Sequence, residues 1–146
     1  MTEKPQISTW EQLRIGTEVR VPFSVSTADM ESFAQLSGDR SRIHMDADFA
    51  RSRGFDDVIV YGALTVSRLS HLVGMRLPGD LGLATDWKID FNRPLYVDED
   101  ALFSATLTHL SEATHTVRLK FRVTVGELVI ATGTAGSLLL DEPRDR

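Results

Sequence analysis

The sequence predicts an α+β domain in which one antiparallel β-sheet wraps around a single long, apolar central helix. Three observations predict it. Residues 85–139 fall into consecutive runs of alternating apolar and polar residues separated by turn signals, the pattern of strands joined by hairpins. Residues 61–79 instead form one long segment whose apolar residues spread around most of a helical circumference, as in a helix buried on most sides. No repeat, low-complexity tract or linker interrupts the chain, so residues 1–146 are expected to form one domain.

The elements follow in order. Both chain ends are polar and are expected to fray. In "EVRVPFSVS", Val19, Val21, Phe23 and Val25 alternate with polar residues, which reads as a half-buried strand. Pro22 has no N–H for a ladder, so this strand belongs at an edge or a bulge. "STADMESFAQLSG" reads as a helix. Ser26 or Thr27 supplies the N-cap, Asp29 suits the first turn, and Met30, Phe33 and Ala34 share a face. Gly38 is placed to end the helix in a left-handed conformation. In "YGALTVSRLSHLVGMRLPG", Ala63, Leu64, Val66, Leu69, Leu72, Val73 and Met75 are apolar and the polar residues mostly small. Pro78 and Gly79 end this helix. The remaining runs are "ATDWKIDFN", with Thr85, Trp87, Ile89 and Phe91 on one face, then "ALFSATLTHL", "TVRLKFRVTV" and "LVIATGTAGSLLL". A curved sheet around one helix is the hot-dog architecture. Such a sheet has to end in an edge, which predicts a homodimer.

Composition removes several function classes. The chain has no cysteine, so neither a thiolate nucleophile nor a disulfide framework is available. Its 16 basic and 21 acidic residues give a net charge of −5, which disfavours a phosphate-neutralising surface and hence nucleic acid as a partner. No apolar run is long enough to span a bilayer and no leader pattern opens the chain. The cytoplasm is therefore the default compartment and no membrane partner is expected. No cluster of Cys, His and carboxylates has metal-ligand spacing, no Gly-rich phosphate loop is present, and no cofactor is called for.

The chemistry concentrates in "SGDRSRIHMD", residues 37–46. Asp39 and His44 are five positions apart, so on a continuous helix they would diverge by about 140°. They converge only if the chain bends between them, which Gly38 and the polar residues after it favour. Converged, a carboxylate and an imidazole can hold one water and exchange protons with a substrate. The competing interpretation is a helix stop followed by a turn. A second element is the helix start at Tyr61–Gly62. First-turn N–H groups and the positive helix end suit a developing oxyanion, and glycine admits close approach to the backbone. The competing interpretation is that Gly62 relieves crowding where the chain enters a buried helix.

"FAQLSGDRSRIHMDADFARSRGFDDVIVYGALTVSRLSHLVG", residues 33–74, resembles the hydratase motif of the MaoC-like dehydratases, the (R)-specific enoyl-CoA hydratases. Members typically show "SGD-x-N-P-I-H-x-D", a short apolar strand, and "HG" opening the central helix. Gly38, Asp39, Ile43, His44, Asp46 and Gly62 match in register. The resemblance implies a hot-dog homodimer that reversibly hydrates trans-2-enoyl thioesters of CoA or acyl-carrier protein. It implies water activation by Asp39 and His44, with the Gly62 N–H binding the thioester oxygen. Ser41, Arg42, Tyr61 and Ala63 then stand beside the substrate.

Three positions depart from the motif, in two places. Ser41-Arg42 replaces Asn-Pro, losing the proline's rigidity and an Asn that can brace a turn. Tyr61 replaces the His before Gly62. Arg42 can meet an anionic part of an acyl chain or a carrier phosphate, or remain a solvated loop charge. His71 is expected to pack in the core, and His109 and His115 sit near strand ends. The alternatives are a non-catalytic acyl-thioester-binding or dimerisation subunit, or a hot-dog thioesterase. The absence of Asp or Glu from Gly62 to Arg76 counts against the thioesterase, some of which use a helix carboxylate.

Overall fold

In a computed structural model, which describes residues 2–140, the chain forms five strands and four α-helices. β1 (Glu18–Phe23) alternates as expected, with Val19, Val21 and Phe23 half-buried and Pro22 outward. It pairs only with β3, so the missing Pro22 N–H falls on an edge strand. α1 (Thr27–Ser37) opens with a reciprocal cap. The Asp29 N–H donates to Ser26 Oγ at 3.1 Å, and the Ser26 N–H donates to Asp29 Oδ2 at 2.9 Å. Gly38, at φ 77°, ends it.

Two short helices follow, α2 (Arg42–Met45) and α3 (Ala47–Ser52). The bend expected between Asp39 and His44 is thus a loop from Gly38 to Ser41, after which the chain is helical again. Asp46 makes the join, because its Oδ1 accepts the Phe49 N–H at 2.9 Å and caps α3. This motif aspartate has a structural role.

α4 (Gly62–Met75) is the longest helix, and β2 (Gly82–Phe91), β3 (Ala101–Ser111), β4 (Thr116–Val125) and β5 (Leu128–Leu139) complete an antiparallel sheet in the order β1-β3-β4-β5-β2. α4 packs against β1 and β3 at one end of that order and against β2 at the other. Strands from opposite ends of a sheet can meet one helix only if the sheet curves around it. Register shifts at Ala84/Asp86, Leu107/His109 and Val123/Thr124 supply local bends. Leu69 and Leu72 of α4 are fully buried together with Phe103, Leu107, Val117 and Leu119 of the sheet.

Three expectations are modified. α4 is less enclosed than its composition suggests: Thr65, Leu69, Leu72 and Val73 are buried, but Ala63, Ser67 and Ser70 are exposed. Small residues look apolar in a sequence window yet leave one side of this helix open. The N-terminal segment does not fray, since the Gln6 N–H donates to Met75 O and the Asp80 N–H to Gln6 O, both at 2.9 Å. The expectation for the C-terminal end, residues 141–146, lies outside the described residues. The whole of β2 is exposed apart from partial cover at Gly82 and Ile89, with Trp87 and Phe91 at 38% and 53% exposure. No helix among the described residues is long and apolar enough to cross a membrane.

Candidate active site

Gly38 turns the chain out of α1 and leaves Asp39 on an exposed loop. Asp39 Oδ1 accepts two hydrogen bonds from Ser41, from Oγ at 2.7 Å and from the backbone N–H at 2.9 Å. Ser41 therefore braces the turn, the job that the departure from Asn was expected to leave undone. These bonds, the hydroxyl first, hold the Asp39 carboxyl below the ordinary carboxylate range, and the charge of His44 adds a smaller effect. Arg40 ties the same loop to α1 through Glu31 at 2.7 Å.

His44, on α2, is half-buried. Its Nδ1 lies 2.7 Å from the carbonyl oxygen of Ile59. A carbonyl only accepts, so Nδ1 carries a proton, and in the neutral imidazole Nε2 is then the nitrogen with the lone pair. The Ile59 N–H in turn donates to Ile43 O at 3.2 Å. The segment before α4 thus clips α2 on both sides of the imidazole. That segment forms no strand beyond an isolated bridge between Ile59 and Tyr96.

His44 lines a cavity of about 360 Å³ together with Gly62, Thr65, Asn92 and Arg93. Its apolar wall includes Phe55, Ile59, Phe91, Leu95 and Ile130. Gly62 is the first residue of α4, and Tyr61 provides no side-chain cap. The N–H groups of Leu64 and Thr65 reach Tyr61 O, so those of Gly62 and Ala63 have no carbonyl within the helix to meet. A Cβ on Gly62 would stand 2.9 Å from Cζ of Phe91, so glycine lets the tip of that ring lie against the start of the helix. A larger depression, about 470 Å³, lies on the outer sheet face among Thr106, Lys120 and Arg122. It has no imidazole and no helix terminus, so the smaller cavity is the candidate site.

The structure brings His44 and Gly62 into one cavity, with Asp39 on the adjoining loop rather than in its lining. Ser41 is engaged with Asp39. The Arg42 guanidinium bonds Asp46 Oδ2 at 3.0 and 3.3 Å and covers the Phe49 ring at 4.2 Å. Tyr61 is buried, its ring centroid 4.1 Å from that of His44 and its hydroxyl 2.6 Å from Asp39 O. Ala63 is exposed on the first turn of α4. His71 is half-buried, His109 is exposed, and His115 stacks on Trp10 at 4.7 Å. Phe91, Asn92 and Arg93, which wall the cavity, were not singled out from the sequence. The available signal was "FNRPL", where strand alternation breaks at a polar pair before Pro94.

The sequence model described as "MaoC like domain" matches residues 11–130. The chain belongs to the MaoC-like family. It is 30% identical over 126 residues to the (R)-specific enoyl-CoA hydratase of Aeromonas caviae, covering 86% of this chain and 94% of that protein. It is 26% identical to the mitochondrial 3-hydroxyacyl-[acyl-carrier-protein] dehydratase of Arabidopsis thaliana, over 87% of this chain and 78% of that one. The solved A. caviae (R)-hydratase superposes with a TM-score of 0.84 over 88% of this chain and 98% of its own. An R-hydratase from Pseudomonas aeruginosa, 25% identical, gives 0.83 over 90% and 85%. The sheet curved around α4 in this MaoC-like chain is the hot-dog fold.

Proposed function

We propose that this MaoC-like chain is an (R)-specific hydratase/dehydratase that reversibly adds water to trans-2-enoyl thioesters of CoA or acyl-carrier protein. The observation that carries the reading is His44: Nδ1 is committed to Ile59 O, Nε2 is not bonded to that carbonyl, and the ring shares one cavity with the start of α4. The thioester oxygen docks at the first-turn N–H groups of Gly62 and Ala63. Water held between Asp39 and His44 adds its oxygen to C3, and the C2–C3 π pair moves onto the thioester as an enolate. The water proton taken by the pair returns at C2. The charge developing on oxygen falls at the positive end of α4. The names of relatives support the substrate class, and no step needs a metal or cofactor.

The test is loss of the conjugated absorbance of a short trans-2-enoyl-CoA on adding pure protein. The second reading, a thioester-binding subunit without turnover, is favoured by one observation: Asp39 stands outside the cavity lining. A protein that binds the thioester and leaves its absorbance unchanged is that subunit.

Arg93 is the cation that lines the cavity, whereas Arg42 is engaged by Asp46 and Phe49. We assign the anionic part of the carrier to Arg93. Arg93→Ala is expected to raise KM for a CoA thioester about tenfold, on the scale of a charge-assisted hydrogen bond, roughly 1.5 kcal/mol. A truncated thioester lacking the nucleotide phosphates should show no such change. An equal rise for both thioesters would remove Arg93 from carrier recognition.

We also propose a homodimer formed along β2. Its free edge and its uncovered Trp87 and Phe91 support this, because a long apolar edge strand is rarely left open.

A further inference from the structure

The residue that opens α4 is badly chosen for that job. An N-cap normally carries Ser, Thr, Asp or Asn, whose short side chain bonds the first-turn N–H groups. Tyr61 holds the position, makes no cap bond, and is only 2% exposed. Its side chain is instead spent elsewhere. The hydroxyl donates to the backbone carbonyl of Asp39 at 2.6 Å, a bond across 22 positions of sequence. Met45 Sδ lies 3.2 Å from the same hydroxyl. A phenol has one proton, and a carbonyl oxygen is the stronger acceptor, so Met45 serves as packing. The ring packs at a tilt between Phe33 of α1, centroids 4.8 Å apart, and His44 of α2, 4.1 Å apart. Its own peptide leads directly into Gly62.

We infer that Tyr61 is a positioning residue that sets Asp39, His44 and the start of α4 relative to one another, and that it acts without touching substrate. The inference rests on the hydratase reading. Among the described residues, the hydrogen bonds of Asp39 beyond its own turn with Ser37 and Ser41 run through this carbonyl, and its neighbour Arg40 adds an ion pair. Arg40 is fastened to α1, so it fixes the loop against a different helix from the one that carries Gly62. The Tyr61 hydroxyl links the carboxylate loop to the residue that opens α4. Burial, the largest effect on its phenol, pushes its pKa up, so the hydroxyl stays protonated and able to donate.

Tyr61→Phe isolates the tether, because phenylalanine keeps the ring between Phe33 and His44. It is expected to lower kcat about tenfold while KM stays within about twofold, as for an interaction expressed through the catalytic pair rather than through substrate binding. In an Asp39→Asn background the same change should cost less than about twofold, since the hydroxyl tether then holds no carboxylate and the retained ring still packs on His44. The Ser41 amide, which donates to Asp39 Oδ1, should exchange with solvent faster in Tyr61→Phe, while the amides of β4 keep their protection. A rise in KM with unchanged kcat would make Tyr61 a substrate contact and overturn the inference. So would a full loss persisting in the Asp39→Asn background, or unaltered exchange at Ser41. If the unaltered protein hydrates no enoyl thioester, the hydratase reading falls, and exchange at Ser41 still decides whether Tyr61 orders the loop.

Discussion

Asp39→Asn and His44→Ala are each expected to lower kcat for enoyl-thioester hydration by at least about 10²-fold, the low end of general acid–base contributions. Hydration needs a base for the water that attacks C3 and an acid for C2, and one water gripped by two groups passes a single proton between those tasks. Groups that act as a unit are non-additive, so the double variant should be scarcely slower than either single one. The two substitutions leave different amounts of structure behind. An asparagine oxygen still accepts from the Ser41 N–H and Oγ, so the turn is retained. Alanine at 44 removes the donor to Ile59 O and the ring packed against Tyr61, and its thermal midpoint must be measured beside its rate. Neither residue belongs to the buried cluster that holds the sheet on α4, so both variants should fold. A His44→Ala protein that binds the thioester normally and turns it over at nearly the original rate would falsify the assignment and return the thioester-binding reading.

How legible this site was depends on how far each contact reaches along the chain. α1 could be read because its signals are local: Ser26 and Asp29 cap each other, and Gly38 takes the left-handed conformation that ends it. β4 could be read because Val117, Leu119, Phe121 and Val123 alternate without interruption. α2 and α3 span four and six residues, too few to show a helical period, so neither helix was read from the sequence. α4 was identified but its exposed side was not, since Ala63, Ser67 and Ser70 carry no strong polarity to mark it. The end of α1 and the turn into the Asp39 loop followed from Gly38. The fastening of His44 did not follow, because its partner Ile59 O lies 15 positions away and is a backbone atom with no sequence signature. Phe91 and Arg93 enter the cavity only because β2 pairs with β5 at the far edge of the sheet. Tyr61 was visible as a departure from the family motif. That its hydroxyl reaches the Asp39 carbonyl needed the fold.

Trp87→Lys is expected to convert a dimer into a folded monomer. β2 pairs with β5 along one side only, and its other side carries unpaired backbone groups over a ten-residue strand. Trp87, Ile89 and Phe91 share a face, yet only Ile89 is half-covered by its own chain. A second copy laid antiparallel along β2 across a two-fold axis continues the sheet and covers Trp87 and Phe91 in both protomers at once, as an isologous interface requires. A lysine at position 87 would place an unpaired ammonium at the centre of that contact, which costs of the order of several kcal/mol. In the separated chain the same lysine is solvated, and Lys is the residue edge strands commonly use to resist pairing. Light scattering should therefore give about twice the 16.3 kDa chain mass for the unaltered protein and the chain mass for the variant, with unchanged circular dichroism. Phe91 ends the same strand and walls the cavity, so hydratase activity should fall together with dimer content as the protein is diluted. An unaltered protein that stays monomeric at micromolar concentration would end the dimer proposal, and a Trp87→Lys protein that stays dimeric would move the interface off β2.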